Sequence, residues 1–331
     1  MIDQASGFGG ETRHMDDLAL PSPTSATRGT GVSAALILRK SQLAGRVSMQ
    51  LDDAQVTNEE VRNWQGVHLL HFDASSCSQQ VRILLNEKNI AWESHHVDLR
   101  KRQHITPWFL GINPRGVVPV LVHDGVVHVE SNDIMEQVDQ LPSERASFFP
   151  EDADARATIK EELAFQSSLR LGTRALTVRF MAPQAMFLKN RKELDAYRKN
   201  GAPDLSRDME IAWWQSTADN GLSPETLIES FAAHRDALRR LEDYLQNREW
   251  LHGDRISVLD IAWFTTIHRL KVLGYDLSRH PYLLSYYQHL LLRPAFREEM
   301  QIKGPLKIIV PAYRLYQRMT GRQLEDVVVR S

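Results

Sequence analysis

The chain has almost no cysteine. Its 331 residues contain one, Cys77, which excludes an intrachain disulfide and any zinc site built from several thiolates. Neither sign of charge dominates. Forty Lys and Arg face 42 Asp and Glu, so no global field draws the chain toward nucleic acid, an anionic membrane or an acidic partner. No run of about eighteen apolar residues is present, so no membrane span is expected. The opening MIDQASGFGGETRHMDD lacks the basic-then-apolar layout of a secretory signal. These absences lead to the expectation of a cytoplasmic protein.

What is present changes character along the chain. Residues 1–65 are rich in Ser, Thr, Gly, Asp and Gln and read as an N-terminal extension. Its apolar stretch VSAALILRKSQLAGRVSMQL is either one amphipathic helix or a disordered arm. From residue 66 to 142 the pattern becomes β-α-β-α-β-β-α. VHLLHF is a buried strand, and SQQVRILLNEKNI a helix with Val81, Leu84, Leu85 and Lys88 at helical spacing. AWESHHVDL is a second strand, and TPWFLGINP a short helix opened by a threonine cap and a proline. Asp124-Gly125 joins two β-runs as a hairpin, and SNDIMEQVDQL is a helix expected to be capped at Ser131. Residues 143–331 lose the β signal. Helices are expected over 153–180, 223–247, 257–274 and 281–300, with an insertion near 181–222. SVLD at 257–260 has the spacing of a capping box.

The proline in GVVPVL marks a special position, because Pro119 cannot donate to a strand ladder. A cis Val118-Pro119 bond would turn the preceding backbone toward an extended ligand. A helix start with several hydroxyls, SSCSQQVRI, offers donors to an anion. The ordered set SSCSQQVRI, NPRGVVPVL, hairpin and ESNDI resembles the glutathione-binding domain of cytosolic glutathione transferases, and its serine-rich turn resembles the zeta class. WLHGDRISVLDIAWF resembles the capping-box helix of the same family's C-terminal domain.

The resemblance implies a thioredoxin-like α/β domain followed by an all-α helical domain, with glutathione as co-substrate. It implies that Ser75 activates the glutathione thiol, assisted by Ser76 and Cys77. Val118 would pair with the cysteinyl backbone ahead of cis Pro119, and Glu130 and Ser131 would hold the γ-glutamyl end. The second substrate would be a small hydrophobic electrophile bound by the helical domain, with Phe165, Leu169, Trp263 and His268 as candidate walls. A homodimer is implied as well.

Other readings compete. The chain also resembles bacterial transferases that cleave β-aryl ethers and, through its insertion, the ganglioside-induced differentiation-associated branch. Isomerisation needs the zeta-class arginine, whose place falls near Val272, with Arg269 one turn earlier. Thiol transfer through Cys77 keeps the fold and changes the chemistry. A non-catalytic binding module is the third alternative. The histidines at 68, 71, 95, 96, 123 and 128 lie in or beside strands, and no metal is assigned to them.

Overall fold

A computed structural model describes Leu51 and residues 54–326. The apolar stretch of the expected extension lies outside the described residues except for Leu51. A four-residue helix α1 (Glu59–Arg62) precedes a sheet of β1 (Val67–His71), β2 (Glu93–His96), β3 (Val120–His123) and β4 (Val126–His128). The strand order is β2-β1-β3-β4, with β1 parallel to β2 and antiparallel to β3, and β3 antiparallel to β4. Helices α2 (Ser76–Glu87), α3 (Pro107–Leu110) and α4 (Ser131–Gln140) complete the β-α-β-α-β-β-α order expected from the sequence. The β3–β4 turn has positive φ at both Asp124 and Gly125, the geometry a two-residue hairpin requires.

Alternation along β1 sends its side chains to two cores. Leu69 packs with Val81, Leu84 and Leu85 of α2 and Ile134 and Val138 of α4. Leu70, on the opposite face, packs with Phe109, Ile112, Val120 and Val122. Leu51, Val56 and Val61 are buried in this second core, so the end of the expected extension is part of the sheet domain. Lys88 closes α2 buried, its ammonium 3.1 Å from the Asp139 carboxylate.

The remainder is helical: α5 (Ala153–Ser168), α6 (Arg170–Phe180), α7 (Arg191–Lys199), α8 (Leu205–Asn220), α9 (Pro224–Leu245), α10 (Val258–Leu273), α11 (Pro281–Leu290), α12 (Pro294–Glu299) and α13 (Leu306–Thr320). Ser257 and Asp260 form the expected capping box. One correction concerns α4: its N-cap is Glu130, whose side chain makes no capping bond, and Ser131 is the first helical residue. The insertion forms α7 and α8. Leu194, Tyr197, Ile211 and Trp214 pack with Ile105 and Leu110 of the sheet domain in a third core.

Helix α2 joins the two domains through hydrogen bonds and an ion pair made by its buried polar side chains. Gln79 Nε2 donates to the Glu299 carbonyl at 2.9 Å, and Gln80 Nε2 to Thr265 Oγ1 at 3.1 Å. Arg82 and Glu299 form an ion pair at 2.6 Å with both side chains buried.

Candidate active site

The turn between β1 and α2 is held from below by two buried arginines. Arg82 donates to the carbonyls of Phe72 (3.3 Å) and Asp73 (3.1 Å) and sits 2.9 Å from His71 Nδ1. Burial, then Arg82, depresses His71 to about 3, which keeps the ring neutral beside the cation. Arg269 of α10 donates to the Ala74 carbonyl. Burial lowers its guanidinium to about 10, still protonated at neutral pH. The next residues are Ser75, Ser76 and Cys77, all half-buried. Ser75 is the N-cap, its Oγ accepting the Ser78 N–H at 3.3 Å. An accepting hydroxyl keeps its own proton to donate.

Opposite this helix start the Val118-Pro119 bond is cis, as expected. Cys77, Val118, Pro119, Glu130 and Ser131 line one cavity of about 520 Å³, within the size range of small-molecule sites. The structure thus brings together five of the seven site residues expected from the sequence. Ser75 and Ser76 stand at the same helix start, but Cys77 is the member of that turn that lines the cavity.

The end of the cavity at Glu130 and Ser131 is heavily charged. Glu130 has φ 66°, a region bulky side chains rarely adopt. Its carboxylate lies 3.0 Å from Arg115 and 3.6 Å from Arg170. Arg170 also donates to Ser131 Oγ (3.0 Å) and Asn132 Oδ1 (3.1 Å). Asp133 lies in the same cavity, and burial, with Glu130 and Glu136 nearby, raises its carboxyl to about 6. Cations and carboxylates therefore alternate where a zwitterionic amino-acid end would need both.

The far wall comes from the insertion. Leu205, Ser206, Met209 and Glu210 of α8 line the cavity. Asp204 anchors α8 to Arg115 at 3.2 Å, and Glu210 pairs with the half-buried Arg174 at 2.6 Å. Burial works against the Arg174 cation, and Glu210 outweighs it and raises its pKa. Both Arg174 and Arg269 lie within electrostatic reach of Cys77.

The four candidate wall residues are not brought to this cavity. Trp263 is fully buried in the helical core, with Leu169 and Phe165 packed there also. Helical spacing gave their face correctly as apolar, and the core claimed it. His268 instead lines a smaller hollow with Asp73, Ala74, Arg269 and Val272. Sequence reasoning missed Arg82, Arg115 and the whole α8 wall, whose partners are distant in the chain.

Known proteins resemble this chain in sequence and in fold. A family model described as "Glutathione S-transferase, N-terminal domain" matches residues 74–141, and "Glutathione S-transferase, C-terminal domain" matches 229–289. Glutathione S-transferase theta-1 of Mus musculus is 27% identical over 70% of this chain and 86% of its own length. Glutathione S-transferase 1 of Dianthus caryophyllus is 41% identical, but this match spans 28% of the chain and 42% of the relative. The crystal structure of β-etherase LigF from Sphingobium sp. strain SYK-6 superimposes with a TM-score of 0.62 at 25% identity, covering 71% of this chain and 98% of that one. Residues 74–141 and 229–289 thus match the two domains of glutathione S-transferases, a family of enzymes that use glutathione as co-substrate. Among the described residues no helix is long and apolar enough to cross a membrane.

Proposed function

We propose that the chain is a transferase that binds glutathione along Val118 and Pro119 and ionises its thiol at the N-terminus of α2. The observation that carries this reading is the single cavity shared by Cys77, Val118, Pro119, Glu130 and Ser131. The γ-glutamyl carboxylate would meet Arg170, Ser131 and Asn132, and its ammonium would meet Glu130 and Asp133. Ser75 donates its hydroxyl proton to the sulfur, aided by Ser76 and by the first N–H groups of α2, which have no partner within the helix. Arg82 and Arg269 are positioning residues, holding the turn's carbonyls. The thiol proton leaves to solvent, the thiolate attacks an electrophilic carbon, and the leaving group departs with its bonding electrons. The second substrate is a hydrophobic electrophile placed against Leu205 and Met209 of α8.

The resemblance to LigF, named a β-etherase, makes an aryl ether one candidate electrophile, in which the aryloxide leaves. Cys77 supports a second reading, because it lines the cavity while the serines do not: there it forms a mixed disulfide with oxidised glutathione, releasing a glutathione thiolate. Conjugation to a generic aromatic halide, compared in wild type and Cys77→Ser, separates the two. Full conjugation in Cys77→Ser supports the serine reading, and loss of turnover in that variant refutes it. The homodimer is part of the same proposal, and sedimentation equilibrium reads its mass directly.

A further inference from the structure

On the sheet face away from α2 and α4, two imidazoles and a carboxylate converge. His68 is on β1, and Glu93 and His95 are two residues apart on the adjacent edge strand β2, so all three side chains share one face. His68 Nδ1 is 3.0 Å from His95 Nε2. Glu93 Oε2 is 3.5 Å from His68 Nδ1, and Glu93 Oε1 is 3.7 Å from His95 Nε2. Ligand atoms at tetrahedral zinc, about 2.0–2.1 Å from the metal, stand about 3.3–3.4 Å from one another. The three separations fall on both sides of that edge length. We propose that His68, Glu93 and His95 form a binding site for a borderline divalent cation such as Zn²⁺, independent of the glutathione cavity.

The surroundings are those of a built site. His68 Nε2 lies 2.8 Å from the Gln65 carbonyl. A carbonyl only accepts, so Nε2 carries the proton and the Nδ1 lone pair faces the centre of the triangle, the outer-shell arrangement of metal-bound histidines. Trp64 stacks on both rings, with centroids 4.3 Å from His95 and 4.7 Å from His68, fixing their planes. A His–His hydrogen bond alone uses one nitrogen of each ring. It leaves the carboxylate beyond hydrogen-bonding distance of both nitrogens, whereas a cation between them engages all three groups. Metal entry requires His95 to carry its proton on Nδ1 instead of Nε2. That exchange with solvent is open to a side chain 23% exposed. Three protein ligands leave one position for water, and two imidazoles with one carboxylate suit Zn²⁺, Co²⁺, Ni²⁺ or Cu²⁺ over Ca²⁺ or Mg²⁺.

The test uses tag-free, chelator-stripped full chain and the metal alone. Titration calorimetry with Zn²⁺ and visible absorption with Co²⁺ are expected to give one equivalent at micromolar metal, with a tetrahedral cobalt spectrum. His95→Ala and Glu93→Gln both lie on the exposed edge strand and leave the cores intact, which thermal melting verifies. Each is expected to weaken binding at least about tenfold. No binding at micromolar zinc, or an affinity unchanged in both variants, overturns the proposal.

Discussion

Ser75→Ala perturbs two things at once, and their sizes differ enough to separate them. The hydroxyl caps α2 through the Ser78 N–H at 3.3 Å, and losing a serine cap costs about 1 kcal/mol. In a chain of this size that lowers the melting temperature by about 1–2 °C. The same hydroxyl is proposed to donate to the thiolate, and a hydrogen bond to a charged group contributes about 1.5–3 kcal/mol. At 1.36 kcal/mol per pKa unit, the bound thiol rises by about one to two units. Turnover near neutral pH then falls about 10- to 100-fold and is recovered as pH is raised. Ser75→Gly gives the internal control, since glycine at an N-cap loses only a few tenths of a kcal/mol. It should lose the rate and keep the stability. The assay is the pH dependence of kcat/KM for conjugation, with the thiolate absorbance of the binary complex as a second reading. Profiles of both variants superimposable on wild type would refute the argument for Ser75.

Glu299→Gln leaves the buried Arg82 cation without its counter-charge, and breaking such a pair costs about 3–5 kcal/mol. Urea unfolding should show this, and a loss under 1 kcal/mol would mean the pair does not join the domains. Asp133, raised to about 6 by burial with Glu130 and Glu136 nearby, binds its proton more tightly folded than unfolded. Its contribution is therefore fully present below the unfolded carboxylate range and is lost as pH rises through about 6. Asp133→Asn should flatten that part of the stability–pH curve and raise the urea midpoint at pH 8; an unchanged curve contradicts the assignment. Met209→Ala removes apolar surface from the α8 wall, worth about 1–3 kcal/mol of discrimination. It is expected to cut kcat/KM for the electrophile about tenfold with the glutathione KM retained, and equal effects on both substrates would place Met209 elsewhere in function.

The readable parts of this molecule were those written in short, local patterns. The Asp124-Gly125 turn, the Ser257–Asp260 box and the 3.6-residue spacing in α2 each specify backbone geometry within a few residues, and each is present. Pro119 could be singled out because it lacks an N–H. The site's support was not legible. Arg82 meets Glu299 across 217 positions, and Arg115 meets Asp204 across 89; no periodicity encodes such pairs. Phe165 and Trp263 illustrate the opposite error, since an apolar helix face reads alike whether a substrate or the core covers it. The insertion's polar composition hid two helices that bury only one face each, against residues far away in sequence. In the sequence His68 and His95 show only that they lie in or beside strands, because the parallel β1–β2 register that brings them together is a property of the sheet.

The most direct test of the central claim is a crystal structure with glutathione bound. The tripeptide is expected against Val118 and Pro119, with its sulfur within hydrogen-bonding reach of the Ser75 hydroxyl. A tripeptide seated elsewhere, or one in that cavity with its sulfur turned away from the start of α2, would contradict it.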